Sequence, residues 1–151
     1  MKILITTTAI LFLLLSCSSF CQMENQRWKP LDSKGKEKIW YDESFLDTLH
    51  SENFSVWILR MYNPPLEFKE IDGRIYRTKI QYAVNLKMMR YGMMKAAYFG
   101  INNKLISDFD YPINNYPDSL KYSYPVNDNQ TLSKVIDIIK KKFSGKSSIT
   151  E

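Results

Sequence analysis

With 151 residues, of which 44% are hydrophobic and 14% aromatic, the chain is long enough for one domain with its own core but short for two. The net charge of +5 comes from 21 Lys and Arg against 16 Asp and Glu, and these are spread along the sequence. Proteins that bind nucleic acids concentrate their cations in one patch, so this distribution argues against a nucleic-acid partner.

The N-terminal residues have the pattern of an export signal. Lys2 precedes an apolar run at positions 3–15, which only threonines at 6–8 interrupt. About 13 such residues are too few to span a bilayer as a helix, but they suit the core of a signal peptide. We therefore expect residues 1–21 to be a signal peptide and the protein to be exported.

Two processing routes fit this segment. Leu14-Leu15-Ser16-Cys17 resembles a bacterial lipobox, in which Cys17 would carry a lipid that anchors the protein to the outer membrane or cell surface. Alternatively, cleavage before Gln22 would leave it in the periplasm or release it. Membrane contact is expected only through that lipid. Since Cys17 and Cys21 are the two cysteines, the domain after them can form neither an internal disulfide nor a cysteine-based zinc site.

The domain itself is predicted at 22–145, with a flexible tail at 146–151. Strands are expected at 28–31, 37–41 and 53–62, and Pro64-Pro65 is expected to end the third because neither proline can donate to a ladder. A short turn or helical start is predicted at 42–44, and a polar connection at 66–73.

The third strand is apolar on both faces. Phe54, Val56 and Ile58 alternate with a second apolar set, Trp57, Leu59 and Met61. A strand of this kind is either covered on both sides or part of an interface between subunits. Trp57, Leu59 and Met61 are therefore the candidate interface residues, for a homodimer or for another protein partner.

Residues 74–91 are predicted to form the longest strand. Apolar and small side chains recur at even positions from Tyr76 to Met88, while odd positions carry mainly Arg, Lys, Gln and Asn. This alternation is the period of a half-buried strand. Arg77, Lys79 and Lys87, with Tyr91 at the same parity, should share a solvated face that suits an anionic partner.

The C-terminal part completes an α+β prediction. Gly92 is expected to mark a bulge or turn, strands are expected at 93–99 and 104–111 around a loop at 100–103, and an irregular crossing follows at 111–127. An amphipathic helix then carries Leu132, Val135, Ile136, Ile139 and Phe143, with Asp128, Asn129 or Thr131 as its cap. The predicted fold is an antiparallel, meander-like sheet of about five to six strands with one C-terminal helix packed on one face.

The sequence contains no recognisable motif for catalysis or metal binding. His50, the one histidine, has neither a nucleophile motif nor a second ligand beside it, and the combination of Ser44, His50 and Asp42 lacks a nucleophile elbow. Asp108 and Asp110 fall on one strand face, where a solvated surface is favoured over a cation site. We expect no enzyme activity, no cofactor and no metal.

Several short motifs resemble the surface-adhesin protein E family. They are Trp28 at the start of the domain, Tyr-Asp-Glu-Ser at 41–44, Phe-Ser-Val-Trp at 54–57, Lys-Ile-Gln-Tyr-Ala-Val-Asn at 79–85, Tyr-Phe-Gly-Ile-Asn-Asn-Lys at 98–104, and Pro-Val at 125–126 before the helix. The resemblance implies an antiparallel sheet with a packed helix, sometimes dimerised through the sheet. It also implies a small exported protein. The best-known member of the family binds host extracellular-matrix and serum proteins.

The sequence departs from that family at one point. Many members have a cysteine in the long strand and another at the end of the helix, where this chain has Asn85 and Phe143. The expected function is an exported, non-enzymatic protein-binding module of the cell envelope. The alternative is an accessory periplasmic lipoprotein that supports an envelope assembly and has no adhesive role.

Overall fold

Six consecutive strands form an antiparallel meander, and a helix crosses one of its faces. The computed structural model describes residues 28–47, 49 and 51–144. The strands are β1 (Trp28–Asp32), β2 (Glu37–Asp42), β3 (Asn53–Phe68), β4 (Ile71–Asn85), β5 (Arg90–Phe99), β6 (Leu105–Asp110) and β7 (Tyr124–Pro125). The helices are α1 (Asp118–Lys121) and α2 (Gln130–Ser144).

The first six strands lie side by side in chain order, and β7 pairs with β5. The predicted fold class is confirmed, with seven strands instead of five or six because the two-residue β7 also joins the sheet, outside the meander. The crossing after β6 also contains the single turn of α1, so the expectation of a wholly irregular segment was wrong. Neither helix in the described part of the chain is long and apolar enough to cross a membrane.

Several predictions concern residues outside the described ranges. They are the signal peptide at 1–21 with Cys17 and Cys21, the role of His50, and the tail at 146–151. The side chain of Phe143 is likewise not described.

The beginning of the domain follows the sequence closely. β1 is an edge strand, which admits Pro30 because an edge does not require every backbone donor. After β2, the Asp42 carboxylate accepts a hydrogen bond from the Ser44 amide at 3.1 Å, and a 3₁₀ turn spans Glu43–Asp47. The predicted helical start after the second strand is therefore confirmed.

β3 does not end at Pro64-Pro65. It continues to Phe68, and its ladder with β4 shifts between Met61 and Leu66. The prolines fall in this irregular stretch, where the backbone does not need their missing N–H groups. The connection expected at 66–73 is therefore wrong, since a turn at 69–70 separates β3 from β4.

β4 ends at Asn85, six residues before the predicted end at Tyr91. The Asn85 side-chain oxygen accepts a hydrogen bond from the Met88 amide at 2.7 Å, and Met89 has a φ of 50°. Asparagine side chains that bond nearby backbone in this way compete with a sheet ladder. Residues 86–89 consequently form a turn, and Arg90 begins β5.

Gly92 lies inside β5 and not at a turn or bulge as expected. Gly92 pairs with Ala83. The register shift between β4 and β5 comes two residues later, at Met94, which has no partner in β4. Tyr91 packs against the core on the side of α2, so its expected place beside Arg77 and Lys79 was also wrong.

The main core lies between the sheet and α2. It contains Tyr41, Val56, Ile58, Tyr82 and Val84 from the strands and Leu132, Val135, Ile136 and Ile139 from the helix. The inward sets predicted from period two in the strands and from period 3.6 in the helix are confirmed at these positions. A smaller cluster on the opposite face joins Ala83 to Ile113 and Tyr122 of the crossing segment.

Candidate binding face

The face of the sheet opposite α2 carries aromatic, apolar and cationic side chains together. We call it the open face and define it by Trp28, Trp40, Trp57, Leu59, Met61, Arg77, Lys79, Lys95 and Phe99. These residues alternate along their strands with core residues such as Tyr41, Val56 and Ile58, and successive side chains leave opposite faces of a strand.

The ladder registers align the open face in rows across the sheet. Leu59 lies opposite Trp40 of β2 and Lys79 of β4. Met61 lies opposite Arg77, which in turn lies opposite Phe99 of β5. The apolar residues are therefore mainly on β1–β3, and the cations are on β4 and β5 beside them.

All three tryptophans of the chain belong to the open face. The Lys79 ammonium lies 5.6 Å from the centre of the Trp28 ring, and the Arg77 guanidinium lies 4.4 Å from the centre of the Phe99 ring. Such cation–π contacts contribute about 0.5–1 kcal/mol at exposed sites. They hold the cations flat against the sheet beside the tryptophans.

Arg77 has an unsatisfied donor at this surface. Its Nε atom is buried and has no hydrogen-bond acceptor among the described residues. A buried donor without an acceptor costs about 1–3 kcal/mol, and more when the group is charged. Because this atom has no exposed surface, a partner can reach only the rest of the partly buried Arg77 side chain.

The predicted interface residues do come together. Trp57 and Leu59 are partly buried on the open face, and Met61 keeps 45% of its surface exposed. Sequence reasoning did not include Trp28 and Trp40 among the candidate interface residues. The alternation in β2 places Trp40 on the other face of the strand from Ile39 and Tyr41. Only the register between β2 and β3 shows that Trp40 lies beside Leu59.

Lys87 does not join the other cations. It was expected to share their face, yet it is exposed in the turn at 86–89 because β4 ends earlier. The positive charge of the open face comes instead from Arg77 and Lys79, since the Lys95 ammonium is paired with the Asp110 carboxylate.

The two aspartates of β6 lie on the same side of their strand, as expected. Asp108 pairs in register with Ala97 and Asp110 with Lys95, whose ammonium lies 3.0 Å from the Asp110 carboxylate. Both aspartates are exposed, as a solvated strand face requires. In the described part of the chain, no three His, Cys, Asp or Glu side chains converge as a metal site would require.

Comparisons with protein-family models, curated proteins and solved structures found no match to this chain. The resemblance to the surface-adhesin protein E family, the export signal and the non-enzymatic role therefore stay predictions.

Proposed function

We propose that the protein is an exported, non-enzymatic module of the surface-adhesin E type that binds another protein through its open face. The observation that carries this proposal is that neighbouring strands place five side chains on one sheet surface: Trp40, Trp57, Leu59, Met61 and Arg77. Trp, Met and Arg are enriched in protein interfaces, and Trp and Arg dominate their binding energy.

The chemistry of the face defines the partner. Three tryptophans with Leu59 and Met61 favour an apolar counterpart, and the partly buried Arg77 guanidinium beside them favours an acidic group. The neighbouring Lys79 adds positive charge, whereas Lys95 is already paired with the Asp110 carboxylate at 3.0 Å. A partner with an apolar centre and carboxylates near Arg77 and Lys79 is therefore complementary. Self-association is the alternative, and it would bury the tryptophans of two copies against each other.

Met61→Glu tests the face without opening the core. The side chain is already 45% exposed, so the free protein accepts the carboxylate, whereas an apolar interface would have to desolvate it. We expect capture of the partner from serum or from envelope extract to fall at least about tenfold, which corresponds to about 1.4 kcal/mol. Light scattering on the same sample measures whether a homodimer is present and is lost.

Met88→Glu is the matched control, since Met88 is 43% exposed but lies in the turn at 86–89. It should leave capture unchanged. Equal losses in the two variants, or undiminished capture by Met61→Glu, would contradict the assignment of the face.

The source of the partner separates the two roles. Capture from host serum or matrix supports an adhesive role, whereas capture only from envelope extract favours the accessory lipoprotein. Mass spectrometry of the mature N-terminus distinguishes a lipid on Cys17 from cleavage before Gln22.

A further inference from the structure

A second surface lies at the edge of β5, apart from the open face. β6 pairs with β5 from Lys95 onward, and β7 pairs with it at Arg90 and Tyr91, so the two edge strands leave a gap between them. A cleft of about 510 Å³ occupies this position. Its lining includes five tyrosines, Tyr82, Tyr91, Tyr111, Tyr116 and Tyr124.

Large apolar side chains remain exposed around this cleft. Tyr111, Tyr116, Leu120 and Tyr124 keep 42%, 50%, 62% and 57% of their surface accessible. Single exposed apolar residues are normal, but a group of them around one concavity marks a binding site. The volume is also in the range of about 300–1,000 Å³ that small-molecule sites occupy.

The walls of the cleft are fixed by hydrogen bonds. The Arg90 guanidinium donates from Nε to the Tyr122 carbonyl at 2.7 Å and from Nη2 to the Ser123 carbonyl. At the other end, the Tyr111 amide donates to the Met94 carbonyl at 2.8 Å. The segment from 111 to 123 is therefore held to β5 at both ends, and a ligand would not have to order it.

The charge of the lining selects the ligand. Among the described residues that line the cleft, Lys121 is the one with a formal charge, and its ammonium lies 5.5 Å from the centre of the Tyr122 ring. Tyrosine rings stack on flat apolar bodies, and their hydroxyls donate hydrogen bonds. We propose that this cleft binds a small aromatic molecule that carries an anionic group.

Two dyes test this proposal. 8-Anilinonaphthalene-1-sulfonate has an aromatic body and a sulfonate, and N-phenyl-1-naphthylamine has the same body without the charge. We expect the anionic dye to bind the purified protein with one site per chain. Tyr124→Ser should weaken both dyes about tenfold, because it removes a ring that packs 5.6 Å from Tyr91. Lys121→Gln should weaken the anionic dye about tenfold and leave the neutral dye within about twofold.

Met61→Ser on the open face is the control, and it should leave both affinities unchanged. Each variant is first shown to be folded by near-ultraviolet circular dichroism. The absence of saturable binding, an equal effect of Lys121→Gln on both dyes, or loss of binding in Met61→Ser would overturn the proposal. Because the two surfaces share no residue, none of these results depends on the partner of the open face.

Discussion

At the scale of single residues, Tyr82 shows how the core constrains one polar group. Its ring is buried beneath α2, with 5% of its surface exposed, and makes an edge contact with Tyr91. Burial raises the pKa of the Tyr82 hydroxyl to about 12, because the phenolate would lose its hydration. The nearby Arg60 opposes this effect but does not overcome it.

Alkaline pH should therefore destabilise the protein through Tyr82. The unfolded chain releases the phenol proton near the ordinary tyrosine pKa of 10.0, and the folded chain releases it near 12. The contribution of Tyr82 to the free energy of unfolding is therefore complete below pH 10 and is lost between pH 10 and 12. Two pKa units correspond to about 3 kcal/mol, of which about 2 kcal/mol is lost by pH 11.5. Urea unfolding at pH 8 and pH 11.5 measures the loss.

Tyr82→Phe should lose less stability over the same interval, since its ring has no proton to release. Burial also raises the pKa values of other tyrosines, the partly buried Tyr62 among them, so part of the pH dependence persists. Tyr116→Phe, at an exposed position, is the control and should behave as the wild type. If Tyr82→Phe keeps the full pH dependence, this attribution is wrong.

At the scale of elements, α2 depends on how its first turn is closed. The Asn129 side-chain oxygen accepts a hydrogen bond from the Leu132 amide at 3.1 Å, which satisfies one of the free donors of the helix start. Leu132 is fully buried, so this cap also fixes the N-terminal turn of the helix against the core. Of the three predicted caps, Asn129 is the one that makes this bond.

Asn129→Ala should lower the free energy of unfolding by about 1 kcal/mol, because the Leu132 amide loses its acceptor. Asn129→Asp restores an acceptor and should recover most of the loss. Asn127→Ala, two positions earlier and exposed, is the control for a change in composition alone. Chemical denaturation measures all three, and an equal loss at both positions would exclude a capping role.

At the scale of the whole molecule, residues 111–123 of the crossing segment cover part of the sheet beside β5, beyond the end of β6. Ile113 and Tyr122 cover Ala83 on the face opposite α2, and the chain then returns through β7 to begin the helix. This closure requires a glycine in β5. A Cβ atom at Gly92 would lie 2.0 Å from the Lys121 carbonyl oxygen, which is backbone and cannot turn aside.

Gly92→Ala should therefore lift the crossing segment and lower the free energy of unfolding by about 2–3 kcal/mol, within the range known for overpacking. Gly100→Ala is a milder control, because the nearest atom to its new Cβ is the flexible tip of Ile106 at 3.2 Å. Urea denaturation compares the two. A Gly92→Ala protein as stable as the control would mean that the close approach is not maintained in solution.

Much of the fold could be predicted because two periodicities dominate the sequence. The alternation at Tyr82 and Val84 assigned the inward face of β4 correctly, and the alternation in β3 separated Val56 and Ile58 from the outward set. The spacing of Leu132, Val135, Ile136 and Ile139 assigned the helix. The errors fell where local bonds override a period: Asn85 ends β4 through its side chain, and β3 passes its prolines by shifting register.

The sequence alone determined which residues of each strand share a face, since alternation is a property of consecutive residues. It also identified Trp57, Leu59 and Met61 as an outward set. Only the tertiary structure decided what these residues meet, because register and the path of the crossing segment depend on contacts between distant parts of the chain. That is why Trp40 beside Leu59, Arg77 over Phe99 and the tyrosine-lined cleft at the β5 edge emerged from the fold and not from the sequence.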